Sequence, residues 1–119
     1  MEVRIEGGHA MPALAVAHMR SVNIGPAIVE YLEKIDATLR PFAGRFLVHG
    51  GRKERVEGDW MGDLIIIQFP DLQHLRNWYA SEAYRAILPL RTQNSETDII
   101  FVETEPEDHR ATDVLAGIL

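Results

Sequence analysis

The sequence predicts an α+β fold: one four-stranded antiparallel sheet with helices packed on one of its faces. Three observations carry that expectation. Short apolar runs of strand length alternate with segments of helical period in the order β-α-β-β-α-β. Proline, glycine and helix-capping residues fall at the boundaries of those segments. The length of 119 residues is that of a single domain, enough to bury a core without cross-links.

Each element follows from its own residues. ALAVAHMR, beginning at Ala13, is short and apolar with little helical contrast, and Pro12 and SVNIGP bound it, so it reads as the first strand. Pro26 suits a helix start, where its missing N–H costs nothing. Ile28, Leu32, Ile35 and Leu39, flanked by Val29 and Tyr31, then form one helical face that Pro41 stops. Gly44 opens a second strand, RFLVHG, closed by Gly50 and Gly51. The loop RKERVEGD leads to Trp60 and to a third strand, DLIIIQF, closed by Pro70. Asp71 is a good N-cap for DLQHLRNWYA, and Ser81 with Glu82 is a second cap at which the helix restarts, until Pro89 ends it. The last strand is DIIFVE, Asp98 to Glu103. This order is the split βαβ, ferredoxin-like arrangement.

Strand parity adds an expectation about assembly. Leu14 and Val16 oppose Ala13, Ala15 and Ala17; Leu64 and Ile66 oppose Ile65 and Ile67; Ile99 and Phe101 oppose Ile100 and Val102. The strands are therefore apolar on both sides, while two helical segments can cover only one. A second copy of the sheet is expected over the other face, making a homodimer.

Composition narrows the function classes. Twelve Lys and Arg against eighteen Asp and Glu give a net charge of −6, which disfavours a nucleic-acid partner. The one basic concentration, GRKER at Gly51 to Arg55, reads as a solvated hairpin loop. With no cysteine, thiolate metal sites, disulfides and thiol nucleophiles are excluded. No apolar run has membrane-spanning length and no signal-peptide core is visible, so no membrane partner and a cytoplasmic location are expected. Residues 1–11, containing a Gly-Gly breaker, read as an N-terminal arm or a cloning remnant; residues 12–103 form the domain; residues 104–119 are a C-terminal extension. Within that extension ATDVLAGIL could form one helical turn, capped by Thr112 or Asp113, that presents Val114, Leu115 and Ile118 on one side.

The segments AGRFLVHGG, EGDW, IIQFPDL and WYASEAYRAILPLR occur in the order and with the residue types of blocks in the small bacterial DUF1330 family, which the chain resembles over about Pro12 to Glu103. Tyr31 falls where such proteins carry a first-helix tyrosine. The resemblance implies a dimeric α/β-barrel, in which two ferredoxin-like sheets face each other. It does not imply one activity, because the wider superfamily includes cofactor-free monooxygenases, lactone isomerases, polyketide cyclases, haem enzymes and plain ligand binders. Against the family pattern His49 stands where arginine is common and His18 where an acidic residue is common, and both introduce groups that titrate near neutral pH.

In this topology the first strand lies between the third and fourth and the third lies beside the second. His18 and His49 are then one strand apart, about 10 Å at roughly 4.8 Å per strand spacing. That is wide for a shared metal but suits two catalytic groups flanking a small organic ligand, one acting as acid or base. Arg45 shares strand parity with His49 and could hold an anion. Tyr31, Tyr79 and Tyr84, with Trp60, are candidate ligand-binding residues, since phenol groups around an apolar cavity orient small aromatic molecules; Trp78 reads as core. No metal ligand set is expected, because His9, His18, His49, His74 and His109 show no close ligand spacing. The glycines around GRKER bound a hairpin and so make no phosphate cradle. The reading is a homodimer with a pocket for a small apolar organic ligand and no cofactor, performing oxygenation, isomerisation or cyclisation of an aromatic or carbonyl compound. Its alternative is a non-catalytic dimeric ligand-binding or stress-related module.

Overall fold

The computed structural model describes residues 11–118, so the N-terminal arm expected over residues 1–11 lies, save for Met11, outside the described residues, as does His9. The elements are β1 (Ala13–Val22), α1 (Pro26–Leu39), β2 (Arg45–His49), β3 (Asp63–Phe69), α2 (Leu72–Ala80), α3 (Glu82–Thr92) and β4 (Ser95–Glu103). A short 3-10 turn, Arg40–Phe42, follows α1, and another, Ala111–Gly117, follows β4. The sheet order is β2-β3-β1-β4, with every neighbouring pair antiparallel. The expected α+β, ferredoxin-like architecture is the one observed.

Local chemistry accounts for the boundaries. Pro26 stands in the first turn of α1, and Ile28, Tyr31, Ile35, Thr38 and Leu39 are buried along one face of it. Beyond Leu39 the chain turns through Ala43 in the left-handed region (φ 57°) into Gly44. A Cβ at Gly44 would collide with the Phe69 and Leu39 side chains, so glycine lets the turn lie against the core. Asp71 caps α2 by accepting the His74 backbone N–H at 2.8 Å, and Ser81, accepting from the Tyr84 backbone N–H at 3.2 Å, caps α3.

Three boundaries differ from expectation. β1 runs on to Val22 and β4 begins at Ser95, because Ser21 pairs with Glu96 and Val22 with Ser95 beyond a bulge at Arg20. The polar residues there carry no apolar alternation, so the sequence hid the pairing. Pro89 does not end α3, which continues to Thr92. Pro89 is on the exposed side, so the Arg85 carbonyl it leaves without a partner one turn earlier faces water, while Ile87 and Arg91 remain on the buried face. The turn at Ala111–Gly117 is 3-10 rather than α-helical and leaves Val114, Leu115 and Ile118 exposed.

The core lies between the helices and one sheet face. Phe69 and Ile67 meet Leu75, Trp78 and Tyr84 there. Trp78 takes the structural place expected of it, its indole N–H donating to Thr38 Oγ1 at 3.0 Å while that hydroxyl donates to the Ile35 carbonyl at 2.7 Å. Among the described residues no helix covers the other sheet face, where Ile100 is 61% exposed and Val102 40%. No helix among the described residues is long and apolar enough to cross a membrane.

Candidate functional site

A bulge in β2 decides which side chains reach the space under the helices. Arg45 pairs with Gln68 and Phe46 with Ile67, but Val48 pairs with Ile66 and His49 with Ile65, so Leu47 is the extra residue. Without the bulge Arg45 and His49 would share a face; with it they face opposite sides. His49 joins Phe46 on the helix side, their rings stacked at 4.4 Å and 9°. Arg45 goes to the other side, exposed, and does not share the site expected of it with His49.

The helix side of the sheet holds a cavity of about 190 Å³. An apolar cavity of about 150 Å³ accepts benzene, so there is room for one substituted ring. Ala17, Met19, Ile65 and Ile99 form its sheet wall, Ile28 and Ile35 its α1 wall, and Tyr31, Tyr84 and Arg91 bring its polar groups from the helices. The lining is mostly apolar with a few placed polar groups, as small-molecule sites are. His49 lines the cavity from an exposed position, next to Gly50 and Asp63. Asp63 is already paired with Lys53, at 3.0 Å.

Tyr31 and Tyr84 meet through their hydroxyls at 2.7 Å. An Arg91 Nη donates to the Tyr84 oxygen at 3.4 Å. Arg91 is only 6% exposed, and its Nε is buried without a hydrogen-bond partner among the described residues. Burial, then the adjacent Tyr84 phenol, holds the Tyr31 pKa well above the ordinary phenol value. For Arg91 burial opposes the charge, but the two phenol oxygens more than offset it and the guanidinium stays protonated. Tyr79 also lines the cavity and sets its ring edge-on to Phe101 at 5.5 Å.

Arg91 was missing from the sequence-based candidates. Its signal is its spacing: Tyr84, Ile87 and Arg91 stand at i, i+3 and i+7, a charge on the buried stripe of a helix. The expectation that Pro89 stops the helix took Arg91 off that stripe.

His18 is the other departure. It pairs in register with Leu64 and Asp98, on the sheet face away from the cavity, so the two histidines do not flank one ligand. Its Nε2 donates to the Met61 carbonyl at 2.7 Å, and its ring stacks on Trp60 at 4.1 Å and 18°. Trp60, whose indole donates to the Gly62 carbonyl at 3.1 Å, is held with His18 and does not reach the cavity. The parity of β1 without a bulge before Arg20 sends His18 outward; the bulge in β2 turns His49 inward. Among the described residues no three His, Asp or Glu side chains cluster in a way that could hold a metal ion.

No curated protein matches the sequence. Among solved structures, a protein of unknown function from Rhodopseudomonas palustris is similar with a TM-score of 0.62 at 14% identity, over 82% of this chain and 85% of that one. A dimeric ferredoxin-like protein of unknown function from Jannaschia sp. is similar with a TM-score of 0.62 at 10% identity, over 78% and 99%. SnoaB, a cofactor-independent oxygenase from Streptomyces nogalater, is similar with a TM-score of 0.51 at 14% identity, over 85% and 100%. At these identities the likeness establishes the shared fold. The family described as a domain of unknown function, DUF1330, matches residues 12–105, most of the sequence, and the chain belongs to that family.

Proposed function

We infer that the protein is a homodimer whose cavity binds a small, largely apolar organic molecule, and that it acts on that molecule without a cofactor, with His49 as acid or base. The carrying observation is the cavity, whose largely apolar wall carries a phenol pair, a buried arginine and one histidine at its edge. An aromatic or carbonyl compound fits such a lining, since the walls bury its rings while the phenols and His49 exchange protons or hydrogen bonds with its oxygens. Oxygenation, isomerisation and cyclisation all need those elements. The cofactor-independent oxygenase SnoaB shares the fold, which supports the class without selecting the reaction.

Dimerisation rests on the uncovered sheet face and on similarity to a protein described as dimeric and ferredoxin-like. Residues 12–103 form the working domain, and the segment from Thr104, tied back by its N–H and hydroxyl to the Pro12 carbonyl at 2.9 and 2.8 Å, keeps its apolar turn free to dock across the partner or over the mouth of the cavity.

The test is a melting-shift screen of aromatic and carbonyl compounds followed by turnover of those that bind. Replacing His49 with Gln lowers turnover by roughly 10²- to 10⁴-fold with the melting temperature unchanged. One observation favours a second reading, a binding module without catalysis: His49 is exposed and stacks on Phe46. Binding without turnover, or turnover that ignores His49, selects it.

A further inference from the structure

The donors and acceptors around Tyr31, Tyr84 and Arg91 do not balance. A guanidinium has five N–H donors and no acceptor. Among the described residues Arg91 uses one of them in a long bond to Tyr84, forms no ion pair, and leaves its Nε buried with no partner. The phenol pair does not supply what is missing. In a hydroxyl–hydroxyl bond one proton lies between the oxygens and the other hydroxyl keeps its own, so one phenolic O–H also remains to be donated. Among the described residues no other polar side chain of the cavity wall bonds Arg91. Asp63 pairs with Lys53, Thr97 bonds Ser95 at 2.9 Å, and His49 stands exposed on Phe46. Three observations therefore coincide: a cation removed from water, a surplus of donors, and an otherwise apolar cavity large enough for a ring.

We propose that Arg91, with the Tyr31–Tyr84 pair, forms an anion subsite, and that the cavity's ligand is a small aromatic or aliphatic acid whose carboxylate sits on the guanidinium. The geometry of the group favours a carboxylate, whose two oxygens match the paired N–H vectors of a guanidinium. The ligand would complete the charge that folding leaves unmatched, because a buried cation gains most from a partner that is buried with it. The apolar walls hold the remainder of the molecule. This assignment rests on the reading of the cavity as a small-molecule site and specifies which molecules enter.

Matched pairs of acid and amide test it on the unaltered protein: benzoate against benzamide and phenylacetate against phenylacetamide, by melting shift and calorimetry at neutral pH. The acid binds roughly tenfold to a hundredfold more tightly than its amide, the range for hydrogen bonds to a charged group. Arg91→Met, which keeps length and apolar volume, removes that preference while the amides still bind. A purely structural arginine would instead leave no acid preference in the parent. Acid and amide binding alike overturn the anion subsite but leave the cavity as a ligand site. Binding of neither member of any pair overturns both readings. Because the parent comparison needs no variant, a misfolded Arg91→Met does not shield the proposal.

Discussion

Tyr31 shows how burial alone changes what a side chain can do. Its hydroxyl meets that of Tyr84 at 2.7 Å, and desolvation strongly disfavours its ionised form. The folded pKa is raised above the unfolded value of about 10, so the stability this group contributes is complete below about pH 10 and is lost as pH rises beyond it. Tyrosinate absorbance followed during an alkaline titration should show no ionisation of Tyr31 until the chain unfolds. Tyr31→Phe should leave the native titration amplitude unchanged and cost about 1 kcal/mol of stability, measured by denaturant unfolding, because Tyr84 keeps Arg91 but loses its phenol partner. A drop in native amplitude would mean that Tyr31 titrates freely.

Single residues also set the entry of α2 and the turn into β3. The Asp71 carboxylate has its pKa lowered, chiefly by the His74 backbone N–H and then by the His74 ring. A lowered folded pKa means that the cap contributes fully above the ordinary carboxylate pKa and loses its contribution as pH falls through the depressed value. Asp71→Ala should therefore cost about 1 kcal/mol at neutral pH, with the gap from the parent narrowing in acid, read from urea midpoints over a pH series. At Gly62 the backbone has φ of 87°, and a Cβ would fall on the Met19 carbonyl oxygen. Gly62→Ala combines left-handed strain with a backbone clash, so it should lower the melting temperature more than the same change at Gly25, where a Cβ meets nothing. Equal effects at the two sites would show that the turn relaxes freely.

At the scale of the molecule the uncovered sheet face dominates. Ile100 and Val102 are exposed beside the half-buried Leu14, Val16 and Ile66, a continuous apolar surface that water alone would border. Light scattering at micromolar concentration should give twice the 13.4 kDa chain mass. Val102→Lys, on that face and remote from Arg91, should shift the mass toward one chain. A parent that scatters as a single folded chain would remove the proposed pairing. If the exposed Val114, Leu115 and Ile118 dock on the partner, deleting residues 111–119 should lower the melting temperature of the dimer.

The sequence by itself determined the α+β class, the number and order of the strands, the caps at Asp71 and Ser81, and the two-sided apolar strands. Each is local information, carried by periodicity, breakers and side-chain oxygens within a few residues of the backbone groups they serve. The resemblance to DUF1330 was likewise visible in four short blocks. Only the tertiary structure decided which side chains share the cavity. The extra residue at Leu47 reverses the face of His49 relative to Arg45, and no feature of RFLVHG announces it, because a bulge arises from how one strand pairs with another. His18 went to the opposite face with Trp60 for the complementary reason, an unbroken register with β3. Arg91 entered the site because α3 passes through Pro89, its buried stripe outweighing one lost backbone bond. Strand register and helix continuation are settled by packing between distant segments, and so the candidate site, unlike the fold, belongs to the three-dimensional structure.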